Sequence, residues 1–168
     1  PGDKITMLPA SIVDRYTLQE GRACPALSLY ATVDRATWTV TATETRCESV
    51  TVAANLRHNL LDDVITAEAL ADGSGDYPFK AELAVLWPFA GALYDARQQA
   101  RIASGLKPEG AQKGDYSFYL DPIPEAEGGK DDDGWRVRIE QRKRGSPLDK
   151  IVAELMILAN STWGRMLA

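Results

Sequence analysis

The stretch that most constrains the fold is the last one, "SPLDKIVAELMILANSTWGRMLA". Ser146, Pro147 and Asp149 supply an N-cap, a first-turn proline and an acid three residues after the cap, so a helix is expected over about 147–168. On a wheel of about 100° per residue, Leu148, Ile151, Val152, Leu155, Leu158, Ala159, Trp163 and Met166 fill one broad side. Glu154, Ala153, Ile157, Asn160, Ser161 and Gly164 fall on the other, where small and amide residues replace the usual lysine–glutamate ladder. A helix of this kind is contacted on both sides, by a ligand or by more protein. Its one mid-helix acid, Glu154, needs a partner there, because an unpaired buried charge is costly.

The rest of the chain reads β-rich first and mixed later. Residues 1–22 are expected to be extended or irregular, with one short helix opened by Pro9-Ala10-Ser11. "PALSLYATVD" and "ATWTVTATETR" alternate and meet at a short polar connection, which predicts an antiparallel pair, with Trp38 inside the second run. "CESVTVAANL" predicts a third strand, leading into one short helix, "LLDDVITAEAL". After the loop "ADGSGDYP", a long helix is expected over about 79–104, with Leu83, Leu86, Trp87, Ala90, Leu93 and Tyr94 as its apolar stripe. Pro88 predicts a kink or break near Ala84 to Trp87, and Gly105 a stop. "GDYSFYLD" and "WRVRIEQRK" predict a strand pair around the acidic tip "PIPEAEGGKDDDG". With no internal repeat or domain boundary, the pattern predicts one α+β unit with a curved mixed or antiparallel sheet and two long helices.

Charge and composition narrow the chemistry. A net charge of −5 is the reverse of what a free-standing nucleic-acid module carries, an objection that weakens for part of a larger protein. Two cysteines, Cys24 and Cys47, form no framework, which fits inert thiols in a reducing, cytoplasmic setting. No apolar run approaches the roughly 20 residues of a membrane span. The lone histidine, His58, argues against histidine-dependent catalysis. "EGGKDDDG" lacks the spacing and the following helix of a phosphate loop, and its aspartates read as a solvated turn rather than a metal site.

Two strands carry features suited to RNA. In "WRVRIEQRKR", Arg136, Arg138, Glu140 and Arg142 share one face and Trp135, Val137, Ile139 and Gln141 the other. Such a face either tracks phosphates or is ordinary solvent surface balanced by acids, and the charge pattern favours the second reading. In "DYSFYL", Tyr116 and Phe118 point one way, a pair of rings on which bases can stack, or a core contribution.

"ITMLP", "DYSFYL" and "DKIVAELMILAN", in this order and at these separations, resemble the catalytic (RNB) domain of the ribonuclease II/ribonuclease R exoribonucleases, and the resemblance runs through almost the whole chain. It implies a hydrolytic 3′→5′ exoribonuclease that admits single-stranded RNA through a narrow channel, with aspartates holding Mg²⁺ that activates water. By position, Phe118 matches the aromatic that stacks on a 3′-terminal base, and Glu154 the helix acid facing the terminal nucleotides. The family's metal-binding aspartates and the tyrosine partnering Phe118 fall before Pro1, and the arginine of its T-S-P-I-R segment falls beyond Ala168. Residues 1–168 are therefore expected to be the central part of one such domain, truncated at both ends. They would supply RNA-binding residues Phe118, Glu154, Tyr116, Arg136 and Arg138, with no catalytic residue and no metal ligand. The partners implied are single-stranded RNA and the remainder of the domain. The alternative is a catalytically inactive relative serving as an RNA-binding or protein-interaction module.

Overall fold

The structure, a computed structural model, describes residues 6–110, 115–123, 135–142 and 145–168. The element order is α1 (Ala10–Tyr16), β1 (Ala23–Asp34), β2 (Thr39–Thr51), α2 (His58–Leu61), α3 (Ala67–Asp72), α4 (Lys80–Ala103), β3 (Asp115–Pro122), β4 (Trp135–Arg142) and α5 (Pro147–Leu167). The α+β class and the antiparallel pairing follow the sequence pattern. In place of one curved sheet there are two separate two-stranded ribbons, β1–β2 and β3–β4. The tip "PIPEAEGGKDDDG" lies almost wholly outside the described residues.

The three strands expected over residues 25–56 are two, because β2 runs unbroken from Thr39 to Thr51 and pairs along all of β1. The irregularity falls instead between Thr32 and Val33, where the register shifts. Trp38 is not a strand residue. It closes the β1–β2 turn at φ +54°, in the left-handed region where a bulky side chain is strained. The single helix expected over "LLDDVITAEAL" is split at Thr66, whose hydroxyl accepts the Ala69 N–H at 3.2 Å and starts α3 afresh. That cap drops Ile65 into the core, where it is fully buried.

The core lies between α3, α4 and α5. Ile65, Ala69, Leu70, Tyr77, Leu83, Ala90, Leu148 and Ile151 are its buried members, and Tyr77 satisfies its buried hydroxyl by donating to the Ala69 carbonyl at 3.2 Å. α4 passes Pro88 without a break. The carbonyl freed by the proline belongs to Ala84, which is exposed, so the lost bond leaves no buried acceptor. Leu83 before and Ala90 after the proline both bury in the same core and hold the halves together. The helix stops at Gly105 (φ +76°), where the Leu106 N–H reaches the Arg101 carbonyl at 3.0 Å and the Gly105 N–H reaches that of Ile102 at 2.9 Å.

α5 begins as its sequence dictates, with the Ser146 hydroxyl accepting the Asp149 N–H at 3.2 Å. Its buried stripe is turned relative to the expected one. Leu148, Ile151, Glu154 and Thr162 are buried, while Val152 and Met166 lie in solvent. Ala153, Met156, Ile157 and Asn160 are exposed beside them, so of the expected second face Glu154 alone among these is covered, by Arg97, and the rest lies open. The accessible surface is 12,589 Å², against roughly 8,200 Å² for a compact monomer of this mass. Part of that surplus is apolar.

Candidate nucleic-acid interface

The β3–β4 ribbon carries four of the five sequence-selected residues, and its register sorts them onto opposite faces. Phe118 pairs with Ile139, Leu120 with Val137, Tyr116 with Gln141 and Pro122 with Trp135. Because side chains alternate along a strand, these residues form one face, and it is apolar and aromatic. Phe118 is 69% exposed and Ile139 58%. β3 and β4 pack principally on each other. A contiguous uncovered apolar face of this kind marks an interaction surface rather than a core.

The other face holds Ser117, Tyr119 and Asp121 opposite Glu140, Arg138 and Arg136. Arg138 donates through Nε to Asp121 Oδ2 at 2.6 Å, bonds Glu140 through Nη1, and stacks 4.5 Å from the centre of the Tyr119 ring. The Arg138 guanidinium holds the Asp121 carboxyl below its ordinary range, with Arg136 adding a smaller pull in the same direction. The balancing acids are thus on the ribbon itself. Phe118 and the two arginines cannot meet one base and its own phosphate from a single side.

Glu154 lies apart from the ribbon and has its partner within the chain. It is 3% exposed, and Arg97 of α4 grips it with two donors, Nη2 to Oε1 at 2.6 Å and Nε to Oε2 at 3.3 Å. The third guanidinium nitrogen, Nη1, reaches Glu109 Oε2 at 2.7 Å, and Gln98 bonds Glu109 on both its side chain and its backbone. Tyr94 sits between two cations, with Arg97 at 5.3 Å and Lys150 at 4.5 Å from its ring centre. Hydrogen bonding to Glu154, then to Glu109, raises the Arg97 pKa further above the physiological range.

Arg97 was not legible as a site residue from either helix alone. The signal is that the α4 stripe at 83, 86, 87, 90, 93 and 94 continues to 97, so an arginine and a glutamate occupy facing apolar stripes. One consequence is measurable. Arg97 holds the Glu109 carboxyl below its usual 4.5, so this contact stabilises the fold above that value and is lost as pH falls through the lower, folded one. Glu109→Gln is expected to be less stable than the parent at neutral pH. That difference should shrink toward zero in thermal melts taken progressively below about pH 4.5.

Several acids among the described residues already have partners. Glu44 is held by Arg46, Glu48 by Tyr30, Glu109 and Glu154 by Arg97, and Asp121 and Glu140 by Arg138. Among the described residues no three His, Cys, Asp or Glu stand close enough to share an ion.

Among the described residues the fold leaves an aromatic ribbon face open and ties α4 to α5 through the buried Glu154 and its partner Arg97. In comparison with protein families, residues 1–168 match the family model described as RNB domain, and the chain belongs to that family. These are domains of the 3′→5′ exoribonuclease type, hydrolytic nucleases that bind RNA. No curated protein and no solved structure matches the chain. No helix among the described residues is long and apolar enough to cross a membrane.

Proposed function

We propose that the chain is the central part of a metal-dependent, hydrolytic 3′→5′ exoribonuclease domain acting on single-stranded RNA in the cytoplasm, and that it supplies RNA contacts rather than the reacting centre. The observation that carries this reading is the open face of β3–β4, where Phe118 and Tyr116 present rings to solvent within an RNB-family chain. Bases of a single strand stack on Phe118 and Tyr116. Arg136 and Arg138, on the opposite face, draw the negative backbone toward the ribbon at longer range, Arg138 exchanging Asp121 for a phosphate.

Glu154 serves this surface by fixing α5 against α4 through Arg97, and its carboxylate turns to a ribose hydroxyl only where RNA draws it from that pair. The divalent ion, Mg²⁺ in this reading, is held by acids outside residues 1–168. The 168-residue chain alone is therefore expected to bind labelled single-stranded RNA without shortening it in Mg²⁺. Shortening of the strand by the chain alone would overturn the division of labour. Absence of any salt-sensitive RNA binding in a longer protein carrying this domain would favour a protein-interaction module instead.

A further inference from the structure

A second site lies away from the ribbon, where β2 passes α5. Val40 and Thr43 on one side and Leu158, Thr162, Arg165 and Met166 on the other line an open groove of about 380 Å³, at the lower end of the range of roughly 300–1,000 Å³ of small-ligand sites. The Trp163 indole N–H donates to Thr45 Oγ1 at 3.1 Å and pins the two walls together.

The floor of the groove contains an unmet hydrogen-bonding group. Thr162 is 7% exposed, and its Oγ1 has no partner among the described residues. A helical threonine ordinarily turns its hydroxyl back to the carbonyl four residues earlier. Here that carbonyl, of Leu158, accepts from the Ser161 hydroxyl at 3.1 Å. Arg165, three residues on and therefore on the same side of the helix, is exposed and makes no ion pair among the described residues. A buried hydroxyl donor beneath an exposed guanidinium, in a groove of mixed lining that includes Val40, Leu158 and Met166, suits a phosphate joined to a less polar body.

We propose that this groove is a phosphate subsite holding one nucleotide unit, with the phosphate between Thr162 and Arg165 and the sugar and base against Val40, Leu158 and Met166. The proposal rests on the RNA reading above. Its ligand is either a phosphodiester of the strand or a free nucleoside monophosphate, which share this chemistry.

The test measures binding of AMP and, separately, of a single-stranded oligoadenylate in EDTA, by calorimetry, with the RNB-domain protein that carries this chain. Thr162→Val keeps the shape and removes only the hydroxyl, so it is expected to fold with an unchanged or raised melting temperature. It should weaken the bound ligand about tenfold or more. Arg165→Gln is expected to weaken the same ligand and to flatten its salt dependence. Loss confined to the oligonucleotide assigns the groove to the strand, and loss of AMP assigns it to a free nucleotide. Wild-type affinity for both ligands in both variants overturns the subsite. If Phe118→Ala still weakens the strand in that case, the ribbon reading stands without the groove. A parent protein that binds neither ligand overturns both.

Discussion

Arg97→Ala is expected to destabilise the fold by about 3–5 kcal/mol, the range for removing one partner of a buried ion pair. The cost comes from what remains. Glu154 sits in the same stripe as Leu148 and Ile151, and without Arg97 its carboxylate keeps neither of its two charge-assisted bonds. The chain must then protonate the acid, admit water between α4 and α5, or part the helices. Urea denaturation separates the cases, since helix separation lowers the m-value as well as the midpoint. Arg97→Lys should recover only part of the loss, because an ammonium cannot match both carboxylate oxygens and Glu109 at once. Replacing the pair together, Arg97→Met with Glu154→Leu, should restore most of the stability, since apolar residues of similar volume often equal a buried pair. A loss below 1 kcal/mol for Arg97→Ala would mean that Glu154 finds water or another donor at little cost.

Phe118→Ala is expected to act on binding and not on folding. The ring is mostly in solvent, so its removal should change stability by no more than about 0.5 kcal/mol. A stacked base contributes about 1–3 kcal/mol by alanine substitution, which corresponds to roughly 5- to 150-fold weaker binding of a short single strand. In the active enzyme the same change should also shift the length of the last product, because the strand end loses a fixed stacking position. Phe118→Trp should keep both properties. Unchanged RNA affinity with lowered stability would return Phe118 to a packing role.

The elements that the sequence made legible are those written in local chemistry. Ser146-Pro147 and Gly105 end helices through their own caps, and the alternation in β3 and β4 names both faces before their register is known. The rest depends on contacts between distant segments. One sheet and two ribbons have the same local pattern, and only long-range pairing separates them. Pro88 fails to break α4 because Leu83 and Ala90 bury on the same core. A helical wheel places Val152 and Met166 in the stripe of α5 because it ranks apolar residues above an acid. The structure turns the helix toward Glu154, whose carboxylate Arg97 supplies with two charge-assisted hydrogen bonds from α4. The arginine face of β4 reads from its charge pattern as solvent surface balanced by acids, and the register identifies one such acid, setting Asp121 beside Arg138 and Arg136.

The most direct test of the RNA surface is photocrosslinking with an RNA carrying 4-thiouridine at its last few positions. The RNA is bound to the RNB-domain protein in EDTA, and the adduct is mapped by peptide mass spectrometry. The open face of β3–β4 predicts adducts within Tyr116–Leu120, competed by unlabelled single strand and lost in Phe118→Ala. Adducts confined to other segments, with β3 unmodified at saturating RNA, would contradict it.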